Sequence, residues 1–393
     1  MARINQPVLV SALGVILAAW NVNAQGPLFV PPPGPPVRVG QGAGWPVLAD
    51  LNGDGNLDLV TQHLLAREVA IWLGDGHGHF GPAPGSPIIF DYPPGAVAVG
   101  DLDHDGNLDL VVARADQESV DVFLGDGTGR FKPAAGSPFI ADPALSPQNK
   151  RTLYLLDINE DGNLDVITVN GRRGGFSALL GDGHGGFSPG PVERVPFESD
   201  TGFHFFAFGD VNGDGHVDAV TVINSPSSGS GNGLLVVEYG DGTGAFHYST
   251  QLPSQLPANP RALALGDMNG DHKLDIVLIH GDGKLMVLLN RGDGTFSPSP
   301  GPPFDLASHD VGLLVADVDG DGKNDIVVSC GSNLKVLLGK GRGLVPAPGS
   351  PFSAGSGSYF AAVGDVDNDG RPDIIATGFE ADSLTILLGR STR

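Results

Sequence analysis

The chain has 393 residues, 40% of them hydrophobic and 17% charged, the proportions of a globular protein and not a disordered one. Lys plus Arg number 22 against 45 for Asp plus Glu, a formal charge of −23, which excludes nucleic acid and anionic membrane surfaces as partners because both need basic patches. Sixty glycines and 32 prolines signal turns and short strands, and a single cysteine, Cys330, excludes an intrachain disulfide or a cysteine-based metal site.

The N-terminus carries Arg3, then an apolar stretch from Pro7 to Trp20 too short to span a bilayer comfortably, then small residues at Val22-Asn23-Ala24. These features predict a signal peptide over residues 1–24, with an uncleaved anchor as the rival reading. No second apolar span follows. The mature chain, residues 25–393, is expected to be one soluble, monomeric domain, secreted to the periplasm or the extracellular space without stable membrane insertion.

From residue 50 one pattern recurs seven times, Asp-x-Asn/Asp-x-Asp-x-x-x-Asp, followed at once by an apolar run. The copies start at Asp50, Asp101, Asp157, Asp210, Asp267, Asp317 and Asp365, at intervals of 51, 56, 53, 57, 50 and 48 residues. A period near fifty is that of a propeller blade. In the second unit Ala96-Val97-Ala98-Val99-Gly100 precedes the loop and Leu110-Val111-Val112-Ala113 follows it. A third strand then leads into the hairpin Gly125-Asp126-Gly127-Thr128-Gly129, whose Asp-Gly chemistry supplies positive φ. Matching hairpins start at Gly74, Gly181 and Gly240, but the sixth reads Gly339-Lys340-Gly341-Arg342-Gly343, without the Asp.

The last unit stops at Leu387-Leu388-Gly389 without a fourth strand, and Phe29-Val30-Pro31 at the N-terminus supplies one. Phe29 precedes Asp50 by 21 residues, as Phe80 precedes Asp101 and Phe296 precedes Asp317. The expected fold is therefore all-β: a seven-bladed β-propeller of four-stranded antiparallel blades, its ring closed by the N-terminal strand completing the C-terminal blade. Closure of this kind removes two open sheet edges.

The acidic loops read as calcium sites. Calcium takes six to eight oxygens from carboxylates, amides and carbonyls on a tight loop. Alternation puts positions 1, 3 and 5 around one centre, position 7 adds a backbone carbonyl, and position 9 adds a closing acid. The candidate ligands are Asp50, Asn52, Asp54, Asn56 and Asp58 in loop 1, and Asp101, Asp103, Asp105, Asn107 and Asp109 in loop 2. Loop 3 offers Asp157, Asn159, Asp161, Asn163 and Asp165; loop 4 offers Asp210, Asn212, Asp214, His216 and Asp218. Loop 5 has Asp267, Asn269, Asp271, Lys273 and Asp275; loop 6 has Asp317, Asp319, Asp321, Lys323 and Asp325. Loop 7 completes the set with Asp365, Asp367, Asp369, Arg371 and Asp373.

Position 6, where the backbone must turn sharply, is Gly in six loops and His272 in the fifth, so the fifth site is expected to be the weakest. The loops hold 24 aspartates, a crowding that should loosen each loop without a cation. Seven calcium ions would bring the formal charge from −23 to −9. The rival reading is that these are Asp/Gly turns and nothing more.

At these residues the chain resembles the FG-GAP/VCBS repeat family, which includes the calcium-binding propeller of integrin α subunits. The resemblance rests on units such as Gly100 to Asp109 and Gly364 to Asp373, and on hairpins such as Leu289-Asn290-Arg291-Gly292-Asp293-Gly294-Thr295-Phe296. It implies structural calcium and a non-catalytic role in adhesion or recognition of a protein or glycan, without specifying one ligand.

Six residues before each loop, where the innermost strand starts, stand Gly44, Gly95, Arg151, His204, Arg261, Val311 and Tyr359. On one reading Arg151, His204, Arg261 and Tyr359, with Arg172 and Arg173 of a variable connection, line the channel mouth opposite the acidic loops and hold an anionic or glycan ligand. On the other they only solvate the channel. The alternative function is a carbohydrate-active lyase or hydrolase, whose carboxylate pair can lie far apart in sequence. Against it, the chain has no His-Glu-x-x-His motif, and most Asp are already assigned to the loops.

Overall fold

The computed structural model describes residues 26–33, 37–40, 42–115, 117, 119–141, 152–169, 175–194, 204–224, 233–249, 254–256, 260–300, 303–306, 311–341, 343–355, 357–378, 380 and 383–391. The segment read as a signal peptide lies outside them, as do Arg151, Arg172 and Arg173. All regular structure among the described residues is β-strand, arranged as seven antiparallel sheets in a ring. The chain is a seven-bladed β-propeller.

The first strands of the blades are Ala43–Ala49, Pro94–Gly100, Leu153–Leu156, His204–Gly209, Pro260–Gly266, Val311–Ala316 and Ser358–Gly364. Those of neighbouring blades pack on one another around the axis. Each second strand opens on a position-9 aspartate: Asp58–His63, Asp109–Arg114, Asp165–Val169, Asp218–Asn224, Asp275–His280, Asp325–Cys330 and Asp373–Gly378. These strands are mostly apolar and buried because both of their faces are covered. In blade 2, Leu110 and Val112 point into the seam with blade 1, while Val111 and Ala113 point into the seam with blade 3. The core is accordingly divided into seven apolar clusters, one at each seam.

Ring closure follows the expected register. Phe29 pairs with Gly389 and Val30 with Leu388, as Phe80 pairs with Gly74 in blade 1. Leu28 N–H donates to Pro348 O and Arg390 N–H to Leu28 O, both at 2.8 Å. Phe29 is buried in the seam between blades 6 and 7, edge-on to Phe352 with ring centroids 5.4 Å apart.

The fourth strand is less regular than the sequence suggests. In blade 1 it consists of two pieces, Phe80–Pro82 and Ile88–Ile89, both paired with Glu68–Gly74. Prolines in the connecting turn cannot donate to the ladder, and the Ser86 hydroxyl between them accepts the Ile71 N–H at 2.9 Å. Ser137 and Ser350 do the same for Val122 and Val336 in blades 2 and 6.

Candidate metal centres and ligand face

The seven acidic loops share one hydrogen-bond plan. One position-1 oxygen accepts the N–H of position 6, at 2.8 Å for Gly322 and Gly370 and 3.2 Å for Gly106. The position-3 side chain accepts the N–H of position 5, and the position-5 carboxylate accepts the N–H of position 7, in every loop. The loops are thus wound around their own carboxylates, which point inward. His272 takes φ 66° and keeps the position-6 bond, donating its N–H to Asp267 Oδ2 at 2.8 Å. The backbone of the fifth loop therefore follows the other six.

The position-9 aspartates do more than close a cage. Each is wholly buried, with one oxygen accepting the N–H of position 2 and the other the N–H of the residue that opens the glycine hairpin. For Asp109 these donors are Leu102 and Gly125, both at 2.8 Å. For Asp275 they are Met268 at 2.9 Å and Asn290 at 2.8 Å. The aspartate fastens the loop to the hairpin and fixes both on one face of the ring. Gly78 N–H donating to Val366 O, and Gly185 N–H to Leu102 O, bind hairpins to the loops of the preceding blade. Burial pushes Asp109, Asp165, Asp218, Asp325 and Asp373 up to about 6; their two backbone bonds oppose the shift and neighbouring loop carboxylates add to it.

Three loops bring carboxylates from positions 1, 3 and 9 within 4.8 Å of one another: Asp101, Asp103 and Asp109; Asp317, Asp319 and Asp325; Asp365, Asp367 and Asp373. In the other four loops position 3 is an asparagine, whose amide oxygen is equally a calcium ligand type. Within loop 2, Asp101 Oδ1 is buried and has no hydrogen-bond partner. A buried carboxylate oxygen without a donor is costly, and a hard cation among these oxygens satisfies it. The donor set, all oxygen and chiefly anionic, fits a divalent cation such as calcium.

Sequence reasoning missed position 4. It adopts positive φ in all loops, as Gly in four and as His104, Glu160 and Asn368 in three, at 58°, 57° and 56°. Those three side chains reach position 7 of the next loop. His104 Nε2 lies 2.9 Å from Asn163 Oδ1, Glu160 Oε1 2.5 Å from His216 Nδ1, and Asn368 Nδ2 2.7 Å from Asn56 Oδ1. Adjacent loops are linked wherever position 4 carries a side chain. A period in the sequence gives no sign of this, because the contact exists only once the ring is closed.

On the opposite face, Arg261 is exposed and is the extra residue of a β-bulge between Pro260 and Ala262. Tyr359 occupies the equivalent bulge between Ser358 and Phe360, and Gly44 and Gly95 lie in bulges of the first strands of blades 1 and 2. Bulges re-aim side chains at barrel rims and binding sites. His204 starts its strand in regular register opposite Ile223. Beyond the expected residues, Arg114 at the far end of the Asp109 strand makes a bidentate pair with Asp121, at 2.7 and 3.0 Å. Its guanidinium lies 4.1 Å from the Tyr92 ring centroid, and the Tyr92 hydroxyl donates to the same carboxylate. Glu238 is buried with neither carboxylate oxygen hydrogen-bonded, on the strand face that turns Val236 into the seam between blades 3 and 4. Burial pushes it up to about 8, and Glu193 adds to the shift. Gly186-Phe187-Ser188-Pro189-Gly190 has the spelling of a nucleophile elbow, but Ser188 and the residues after it lie within the outer strand Phe187–Arg194, so it is not at a strand-to-helix turn.

These features define a seven-bladed propeller whose turns between first and second strands are inward-facing acidic loops. The FG-GAP-like repeat matches residues 101–168, 157–221, 267–328 and 317–376, and the chain belongs to that family. A T-cell immunomodulatory protein homolog of Plasmodium yoelii yoelii is 28% identical over 135 residues, covering 31% of this chain and 19% of that protein. The chain therefore spans only a fraction of that relative's length. A lectin of Agrocybe aegerita, solved for its specific recognition of non-reducing terminal N-acetylglucosamine, has a TM-score of 0.56 at 18% identity, over 87% of this chain and 86% of its own. BBS1N, solved in complex with ARL6DN, has a TM-score of 0.60 at 13% identity, over 93% and 98%. At those identities the likeness is one of fold.

Proposed function

We propose that this chain is an exported, calcium-stabilised, non-catalytic recognition module for a protein or carbohydrate ligand. The observation that carries the metal is the buried, unpartnered Asp101 Oδ1 within the cluster of Asp101, Asp103 and Asp109. Asp101, Asp103, Asp105 and Asp109, with the Asn107 carbonyl, would hold the ion in loop 2, and the equivalent positions supply the same donor types in other loops. Its charge would neutralise the loop and fix the turn between two strands. Recognition is supported by the family, by the lectin sharing the fold, and by the exposed, bulged Arg261 on the face away from the loops. The N-terminal segment supports export.

The test is a glycan array, including N-acetylglucosamine-terminated glycans, probed with mature protein in calcium and in chelator. Retention that needs calcium and weakens in Arg261→Glu supports the reading. Absence of retention on every glycan, with calcium present and the protein folded, removes its carbohydrate half.

A further inference from the structure

In blades 1 to 4 the glycine hairpin carries an aspartate, Asp75, Asp126, Asp182 or Asp241, that caps N–H groups of its own turn. Blade 6 has Lys340 there. Its ammonium does not stay in the hairpin: Nζ lies 3.0 Å from Asp319 Oδ2 and 3.1 Å from Asp321 Oδ2, the position-3 and position-5 carboxylates of the sixth loop. A second ammonium, Lys323 Nζ, donates to Asp321 Oδ2 at 2.9 Å.

The other two loops with four aspartates differ. In loop 2 the position-5 carboxylate is met by an amide, Asn107 Nδ2 at 2.9 Å, and no ion pair involves any of its four aspartates among the described residues. In loop 7 Arg371 pairs with Asp369 alone among the described residues. Among the described residues, only in loop 6 does one cation bridge positions 3 and 5, where a metal would draw on both. A divalent ion entering that loop must displace Lys340 or sit beside it, and like charges at that range repel strongly.

We infer that Lys340 is the resident cation of the sixth loop, which takes no calcium at concentrations that fill the other six. The inference rests on the calcium reading above. It ranks the sixth loop below the fifth, where His272 keeps the shared backbone plan and Lys273 Nζ stands 3.8 Å from Asp271.

The test is calcium per chain, by elemental analysis after equilibrium dialysis, for wild type, Lys340→Asp and Lys340→Met. Lys340→Asp gives blade 6 the hairpin residue of blades 1 to 4. The Lys340 side chain is 42% exposed, so neither change disturbs the core. Six ions in wild type and one more in each variant is the expected result. Lys340→Met should also lower the unfolding midpoint in chelator, with calcium restoring it. Seven ions in wild type, or equal counts in all three proteins, overturns the inference while leaving the calcium reading intact. No ion in any of them overturns the calcium reading, and this inference with it.

Discussion

Replacing Asp109 by alanine removes an acceptor from two buried backbone donors at once. Leu102 N–H and Gly125 N–H each lie 2.8 Å from its carboxylate, and the residue has no solvent exposure. A buried donor left unsatisfied costs about 1–3 kcal/mol, so two of them put the loss at about 4 kcal/mol. Asp109→Asn keeps one acceptor oxygen but presents its amide to the other donor, so about half that loss is expected. Urea unfolding in excess chelator, followed by tryptophan fluorescence and by far-UV circular dichroism, isolates the backbone bonds from any metal contribution. Asp103→Asn is the control: its carboxylate accepts one backbone bond, Asp105 N–H at 3.3 Å, and the change should stay within about 0.5 kcal/mol. An Asp109→Ala protein within 1 kcal/mol of wild type in chelator would refute the role of position 9 as a fastener between loop and hairpin.

Phe29→Ala should destabilise the ring by about 3–4 kcal/mol in the same assay, since the side chain is buried against Phe352 at the closing seam. Arg114→Met leaves Asp121 largely buried without its guanidinium and should cost about 3 kcal/mol, against about 1 kcal/mol for Tyr92→Phe, which removes a single hydrogen bond. Glu238 gives a pH signature. Its folded pKa is raised from 4.5 to about 8, so its contribution is fully present below about pH 4.5 and is lost as pH rises through 8. Thermal midpoints of Glu238→Gln measured from pH 5 to 9 should lack the part of the decline that wild type shows.

Much of this architecture is legible in the sequence because each blade repeats a local rule. The spacing of Asp101, Asp103, Asp105 and Asp109 is set by one turn, and a turn needs no knowledge of the ring. Phe29 could be assigned to the last blade because the distance to the next loop is itself periodic. What escaped depends on contacts that a single loop does not encode. The Glu160–His216 and Asn368–Asn56 links and the burial of Glu238 follow from ring geometry, whereas the bridge from Lys340 to Asp319 follows from the strand pairing that brings the hairpin of blade 6 beside its own acidic loop. The position-9 aspartates were read as metal ligands from their place in the motif; that their oxygens also hold the hairpin requires strand pairing that a single loop does not encode. The bulges at Arg261 and Tyr359 add one residue without changing the apolar pattern around it.

Thermal unfolding of the mature protein in excess calcium, in chelator and in excess magnesium tests the central claim most directly. Ions that bind only the folded ring stabilise it by mass action, and several sites act together. The expected result is a large rise of the midpoint in calcium, a much smaller one in magnesium, and reversal by chelator. A midpoint that is the same in all three solutions, with no calcium found in the purified protein, would reduce the acidic loops to turns held by their own backbone bonds.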